Sequence, residues 1–345
     1  MVARRHTVKF PLVLFSVFVL ALVSRSSAIG GSAPSKLVIG YAATTARLMP
    51  LWIARDQGFF TKYGIDSEPV LLRGGTTLVT GLAAGDVQIG RTAGAAVLSA
   101  VSAGHDLKMM ATFSSRNSYD VVVRPNIKRV EDIRGKRIAI NSLGGGTWMG
   151  VMLWLEHFGL DAQRDQVLLQ SIGDQSLQAQ ALESGVVDVA FVDSFYSKWL
   201  KARGMTVLAD YSELKQPLVS QSMIVPRLFL QQHPDIVENY LKAEVEGLAF
   251  GVAPKNKPAV VKLLMKRLRT DAAGAEDGYA DLLRGVDRRP LPSLDGMRNL
   301  QRLLKSRNPK IGEVKVEDVV DGRIMRRLDE SGFIDRAYAA QGARP

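Results

Sequence analysis

Lys36-Leu37-Val38-Ile39-Gly40 and Lys136-Arg137-Ile138-Ala139-Ile140 are the same phrase, a short β run written twice, a hundred residues apart. Each is followed by a loop, a run of helical spacing and a matching stop, Tyr63-Gly64-Ile65-Asp66 in the first copy and Phe158-Gly159-Leu160-Asp161 in the second. The echo continues through Val70-Leu71-Leu72 and Val167-Leu168-Leu169, then through Gly85-Asp86-Val87-Gln88-Ile89 and Gly185-Val186-Val187-Asp188-Val189. A repeat of strand, helix, strand, helix, strand is one α/β lobe, too large for a solenoid module. The chain therefore reads as two similar lobes with function expected between them.

Working outward, the first lobe reads as strands at 36–40, 68–72, 87–90 and 109–114, with helices at 49–60, 76–84 and 95–103. The second reads as strands at 137–140, 166–170 and 187–192, with helices at 147–158, 175–184 and 195–203. Strands alternating with helices of this length imply parallel βαβ units with right-handed crossovers. Tyr119 to Arg124 and Ser222 to Val225 read as crossing strands, which places a hinge at 115–124 and 219–226. The remainder is mostly helical, at 226–232, 234–252, 258–269, 294–305 and 316–330. The fold class is α/β, two lobes, each a mostly parallel sheet flanked by helices. The expected division is 36–118 with 224–345 as lobe I and 119–223 as lobe II.

The N-terminus stands apart. Arg4, Arg5 and Lys9 precede an apolar run from Phe10 to Val23, and Ser26-Ser27-Ala28 supplies small residues for cleavage. Residues 1–28 thus read as a secretory signal followed by a flexible leader, 29–35, and the product is expected in the periplasm as a monomer. An uncleaved anchor is the alternative. The 345 residues contain no cysteine, which removes disulfides, thiol nucleophiles and a lipid-bearing cysteine. Without Arg4, Arg5, Lys9 and Arg25 the formal charge falls from +11 to +7, a field that attracts anions. The basic residues are scattered, and no nucleic-acid partner is expected.

Ligands of open parallel sheets sit beyond the carboxyl ends of the strands. There the sequence offers loops rich in Gly, Ser and Thr, each opening a helix whose bare N–H groups favour an oxyanion. Ala43, Thr44, Thr45, Gly75, Thr76 and Thr92 are the candidates in the first lobe, with Gly145, Gly146, Thr147 and Trp148 in the second. Ordinary capping and turn formation explain such residues equally well in many α/β proteins. Arg47, Arg73, Arg91 and Arg116, with Ser115 beside the last, could fork onto a carboxylate or sulfonate. Asp174 and Asp193 face them; Asp193 either holds a ligand ammonium or caps the helix that follows. Trp148 is either an aromatic wall or core.

Catalytic patterns are missing from the sequence. Gly144 and Gly146 fit the start of a dinucleotide fingerprint, but Met149 stands where its third glycine belongs, and the P-loop lysine is absent. His105, His157 and His233 are too far apart to form a metal motif, and G-x-S-x-G does not occur. No cofactor is expected.

Three segments carry a family resemblance: Ile53 to Asp66 (IARDQGFFTKYGID), Gly85 to Gly90 (GDVQIG) and Val130 to Ala139 (VEDIRGKRIA). In this order they resemble the substrate-binding proteins of nitrate, sulfonate and taurine ABC importers. The resemblance implies a type II periplasmic binding protein fold, no catalysis, and a small, anionic organic ligand delivered to a membrane permease and its cytoplasmic ATPase. It also implies ligand contacts near Ala43-Thr44-Thr45, Gly74-Gly75-Thr76, Thr92-Ala93-Gly94 and Gly145-Gly146-Thr147. The family's Asp-Pro pair is Asp193-Ser194 here. Related thiamine-pyrimidine synthases, the enzyme alternative, use iron-binding histidines and a cysteine that this chain does not supply; a pyrimidine-precursor binder and a ligand sensor are further alternatives.

Overall fold

A computed structural model describes Val2 and residues 35–345, apart from 117–118, Gly144 and 211–215. Almost all of the expected signal and leader lies outside the described residues. The first repeat comprises β1 (Ser35–Tyr41), α1 (Met49–Asp56), α2 (Phe59–Lys62), β2 (Ile65–Leu71), α3 (Gly75–Ala84), β3 (Ile89–Thr92), α4 (Gly94–Ser102) and β4 (Leu107–Ser114). The second comprises β5 (Asp120–Val123), β6 (Arg137–Ile140), α5 (Gly146–His157), β7 (Leu168–Ser171), α6 (Gln175–Ser184), β8 (Val189–Val192), α7 (Ser194–Lys201) and β9 (Thr206–Asp210). The chain returns through β10 (Gln221–Pro226). It then runs through α8 (Arg227–Gln232), α9 (Pro234–Val252), α10 (Lys257–Leu268), α11 (Ala272–Gly285), α12 (Leu294–Leu304), α13 (Pro309–Gly312), α14 (Val316–Val319), α15 (Arg323–Glu330) and α16 (Phe333–Ala340).

The strand orders are β2-β1-β3-β10-β4 and β7-β6-β8-β5-β9. In each sheet four strands run one way, and the fourth position is filled antiparallel by a strand arriving from the other half, β10 in the first sheet and β5 in the second. Gly85 and Gly185 end α3 and α6 at φ of 79° and 82°, a left-handed conformation that glycine adopts without steric cost. The repeat seen in sequence is thus a repeat of topology and of turn geometry.

Burial explains the alternation. On one face of the first sheet Leu37, Ile39, Phe113, Met223 and Val225 pack with Trp52, Phe60 and Tyr240. A second core begins under α3 and α4 and continues through Met297, Leu300 and Leu304 of α12 to Val121, Ile138, Trp148 and Trp154 of the second sheet and α5. A third, smaller core lies between the second sheet and α6 with α7.

The helices α13 and α16 fall outside the expected set, and three further differences have a physical cause. Thr206–Asp210 forms β9 because β5 pairs on both edges, although four half-buried residues and the exposed Val207 give no clear period. Gly274, Gly278 and Gly285 hide α11 from a propensity reading; a side chain at Gly274 would collide with Phe195 of α7, so close packing requires the small residue. The helix expected over 316–330 is broken, because Val320 bridges to Met109 of β4 and the Asp321 N–H donates to the Met109 carbonyl at 2.9 Å.

The crossings themselves are shorter than the hinge expected from sequence, since β5 and β10 lie inside the sheets. They run side by side: Leu218 N–H donates to the Ser115 carbonyl at 3.0 Å, and Ser220 N–H to the Ser114 carbonyl at 2.9 Å.

Candidate functional site

The turn Ala46–Leu48 after β1 buries Arg47. Its guanidinium lies over the Tyr119 ring at 5.6 Å and reaches the Arg116 carbonyl at 3.5 Å. Tyr119 comes from the first crossing and is itself buried. Burial raises the phenol's pKa, and Arg47 opposes that shift. Beyond the phenol lies the start of α5, where a Cβ added at Gly146 would meet only the Tyr119 hydroxyl, at 3.6 Å.

That helix start is shaped by its sequence. The Thr147 hydroxyl accepts from Asn141 N–H at 2.6 Å and donates to Asn141 Oδ1 at 2.8 Å, folding the loop back on the end of β6. Any side chain at Gly145 would collide with the Asn141 amide, which fixes glycine there. No side chain caps α5. Its first-turn N–H groups and the positive end of its dipole therefore favour an anion beside Tyr119 and Arg47.

Opposite stands a carboxylate pair. Asp193 caps α7, accepting from Tyr196 N–H at 3.3 Å. Its pKa is pushed up to about 7, first by burial and then by Asp281, while the field of Arg47 pulls it back. Asp281 lies on α11, also buried, and burial raises its pKa against the pull of Arg284 and Arg47. Ser194 donates to Asp281 Oδ1 at 3.0 Å, Arg284 pairs with Asp281 at 2.6 Å and bonds Ser194, and Lys198 pairs with Asp277. Residues 194 and 198 on α7 thus meet 281 and 277 on α11, one helical turn apart on each. Arg302 of α12 forks onto Glu156 of α5 at 2.8 and 2.9 Å. These contacts join the C-terminal helices to the second repeat.

The seam therefore brings together Arg47, Gly145, Gly146, Thr147 and Asp193 among the sequence candidates. Thr45 is beside them, its hydroxyl buried without a hydrogen-bond partner. Ala43 and Thr44 are exposed on the loop after β1, and Thr76 is exposed in the first turn of α3. Gly75 has a packing reason, since a Cβ there would strike Ala96 of α4, and Thr92 is buried with its carbonyl accepting from the Ser222 hydroxyl at 2.8 Å. Asp174 caps α6 by accepting from Leu177 N–H at 3.1 Å. Ser115 donates to Asp287 at 2.9 Å, and Arg116 contributes its carbonyl to the seam while its side chain is exposed.

Two expectations are corrected. Arg91 is fully buried on the far face of the first sheet, paired with Glu244 of α9, donating to the Ser222 carbonyl at 3.2 Å and lying 4.0 Å from the Phe113 ring. It is a core ion pair, and these partners all lie in the first sheet and α9. Trp148 turns into the central core, with the Arg307 guanidinium 5.7 Å from its ring, so it forms no wall for a ligand. Sequence reasoning missed Tyr119, read only as a strand end, and Asp281, which belongs to no repeat.

A family model described as NMT1/THI5 like matches residues 45–256. The taurine-binding periplasmic protein of Escherichia coli (strain K12) is 28% identical over 177 residues, 50% of this chain and 53% of that protein, so the match spans about half the relative's length. Among solved structures, the periplasmic nitrate-binding protein of Synechocystis PCC 6803 superposes with a TM-score of 0.70 at 15% identity, covering 86% of this chain and 88% of that one. A putative periplasmic sulfonate-binding protein from Methylobacillus flagellatus KT gives 0.69 at 17% identity, covering 87% and 95%.

Proposed function

From the premise that the chain belongs to the NMT1/THI5-like family, whose model covers more than half of it, we propose that it is an extracytoplasmic solute-binding protein of an ABC importer. Its fold, two mixed five-stranded sheets joined by two crossings, is that of the type II periplasmic binding proteins. The solute is a small organic anion held at the seam and released to a membrane permease driven by a cytoplasmic ATPase. No helix among the described residues is long and apolar enough to cross a membrane.

One observation carries this reading: the buried Arg47, the Tyr119 hydroxyl and the uncapped start of α5 converge from both halves of the molecule. A guanidinium, a phenol and a helix N-terminus form a donor set for a carboxylate or sulfonate. The Asp193–Asp281 pair supports a finer reading, in which the same solute also carries an ammonium group, as taurine, bound by the E. coli relative, does. Contacts to both halves would stabilise the closed arrangement over an open one.

A thermal-shift series of small sulfonates, carboxylates and nitrate tests this. Native-state binding at a hundred times Kd adds about 2.7 kcal/mol to stability. The expected result is a rise in Tm with one class of anion, larger for 2-aminoethanesulfonate than for ethanesulfonate. A panel without any shift sinks the proposal; equal shifts for the two sulfonates sink only the ammonium reading.

A further inference from the structure

A groove of roughly 700 Å³ opens beside the first crossing, lined by Ser115 and Arg116 and by the segment from Leu283 to Asp295. Among the described residues its lining comes from the first crossing and the C-terminal segment, and Arg116 and Arg284 are where it borders the seam. Its volume is within the range of small-molecule sites, about 300–1,000 Å³. Leu283 and Leu291 are each 37% exposed in it, beside Val286, Pro292 and Leu294. Arg289 is engaged by Asp329 and Asp335, and Arg284 by Asp281. Among the described residues Arg288 donates to the Arg344 carbonyl, at 2.8 Å, and the Arg116 side chain makes no ion pair, although burial raises the pKa of Asp287 and the Arg116 charge opposes that shift. Among the described residues two guanidinium groups without a salt-bridge partner thus stand over an exposed aliphatic floor, with Asp287 and Asp295 also in the lining.

We propose that this groove is a second site, which takes an amphiphilic monoanion. The alkyl chain lies on Leu283, Leu291 and Leu294, and the carboxylate or sulfonate head is held by Arg288 and Arg116. The site is wired to the seam through one atom: the Arg116 carbonyl accepts from Ser114 Oγ at 3.1 Å, from Ser220 Oγ at 2.9 Å and from Arg47. Both crossings and the seam's guanidinium therefore share an anchor with the groove, and its occupant acts on the closure of the cleft.

Calorimetric titration of the full chain with octanoate tests the proposal, with acetate as a head without a tail and octylamine as a tail of opposite charge. Octanoate is expected to bind, and the other two at least about tenfold more weakly. Arg288→Glu and, separately, Leu291→Asp should each weaken octanoate by about tenfold or more, the scale of one lost charge-assisted contact; Arg47→Ala, which touches the groove only through the Arg116 carbonyl, should weaken it less than either. Absence of octanoate binding overturns the site. So does comparable binding of octylamine, comparable binding of acetate that persists in Arg47→Ala, or octanoate binding that survives Arg288→Glu and disappears in Arg47→Ala, which would put the alkyl anion in the seam.

Discussion

Positions 74 and 174, and 93 and 193, are equivalent in the two repeats, and they carry opposite chemistry. In the first repeat Gly74 and Ala93 precede α3 and α4 without any side-chain cap; in the second, Asp174 and Asp193 cap α6 and α7. The uncapped ends serve different purposes. Gly94 N–H at the start of α4 is taken by the Val219 carbonyl at 2.9 Å, which ties that helix to the second crossing, whereas α3 opens at the exposed Thr76 and Thr77. The core shows the same divergence. Arg91 with Glu244 fills the position in the first sheet that Phe191, 5.7 Å from Trp154, fills in the second. Duplication kept the backbone, and side-chain chemistry then distributed charge unequally across the seam: donors from Arg47, Tyr119 and α5, acids from α7 and α11.

The largest effect should come from the core pair. Removing one partner of a buried ion pair strands the other charge, so Glu244→Ala should lower unfolding free energy by about 3–5 kcal/mol, while Arg91→Met with Glu244→Leu should be near neutral or stabilising, as the apolar second sheet implies. Denaturant unfolding of both variants checks this, and a double variant as unstable as the single one would break the comparison.

Asp193 gives a pH-dependent effect. Its folded pKa, about 7, is above the ordinary 3.8, so the folded protein binds the proton more tightly. The associated stabilisation is fully present below about pH 4 and is lost as pH rises through about 7. Asp193→Asn should therefore gain Tm relative to the wild type as pH climbs from 4 to 8, with the two chains alike at the acid end. A difference in Tm that does not change with pH would contradict the buried-acid account.

Asp174→Ala removes a cap and should cost about 1 kcal/mol by thermal unfolding. Gly74→Ala, at a position with φ of 91° and no cap, should be destabilising through backbone strain alone. Smallest is Glu156→Ala. Its pair with Arg302 is about half exposed, so stability should change by about 1 kcal/mol or less. A larger loss would make this contact a principal brace between the halves.

Much of the architecture was legible because the repeat carries it: period-2 runs, helical runs and glycine stops recur in register. Arg47 was legible by its place after β1. Arg91 was misread because neighbouring strand residues face opposite ways, Thr92 toward α3 and Arg91 toward α9. A signal existed in Glu244, an acid on the buried face of α9 beside Tyr240, Leu241 and Leu248. Asp281 was hidden for a different reason. Its helix is rich in glycine and alanine, and only tertiary packing of α11 on α7 carries the carboxylate to Asp193. Ser194, which stands where the resembled family has proline, is explained by the same contact, because its hydroxyl is what Asp281 accepts from.

The central claim is that a small solute is held between the two halves by Arg47 and the start of α5. Calorimetric titration of 2-aminoethanesulfonate into the wild-type chain, and into Arg47→Ala at a pH where both remain folded, tests it most directly. The account predicts one solute per wild-type chain, recovered chemically unchanged, and at least about a tenfold loss of affinity without the guanidinium. Equal binding by the two chains, or conversion of the solute to another compound, would contradict it.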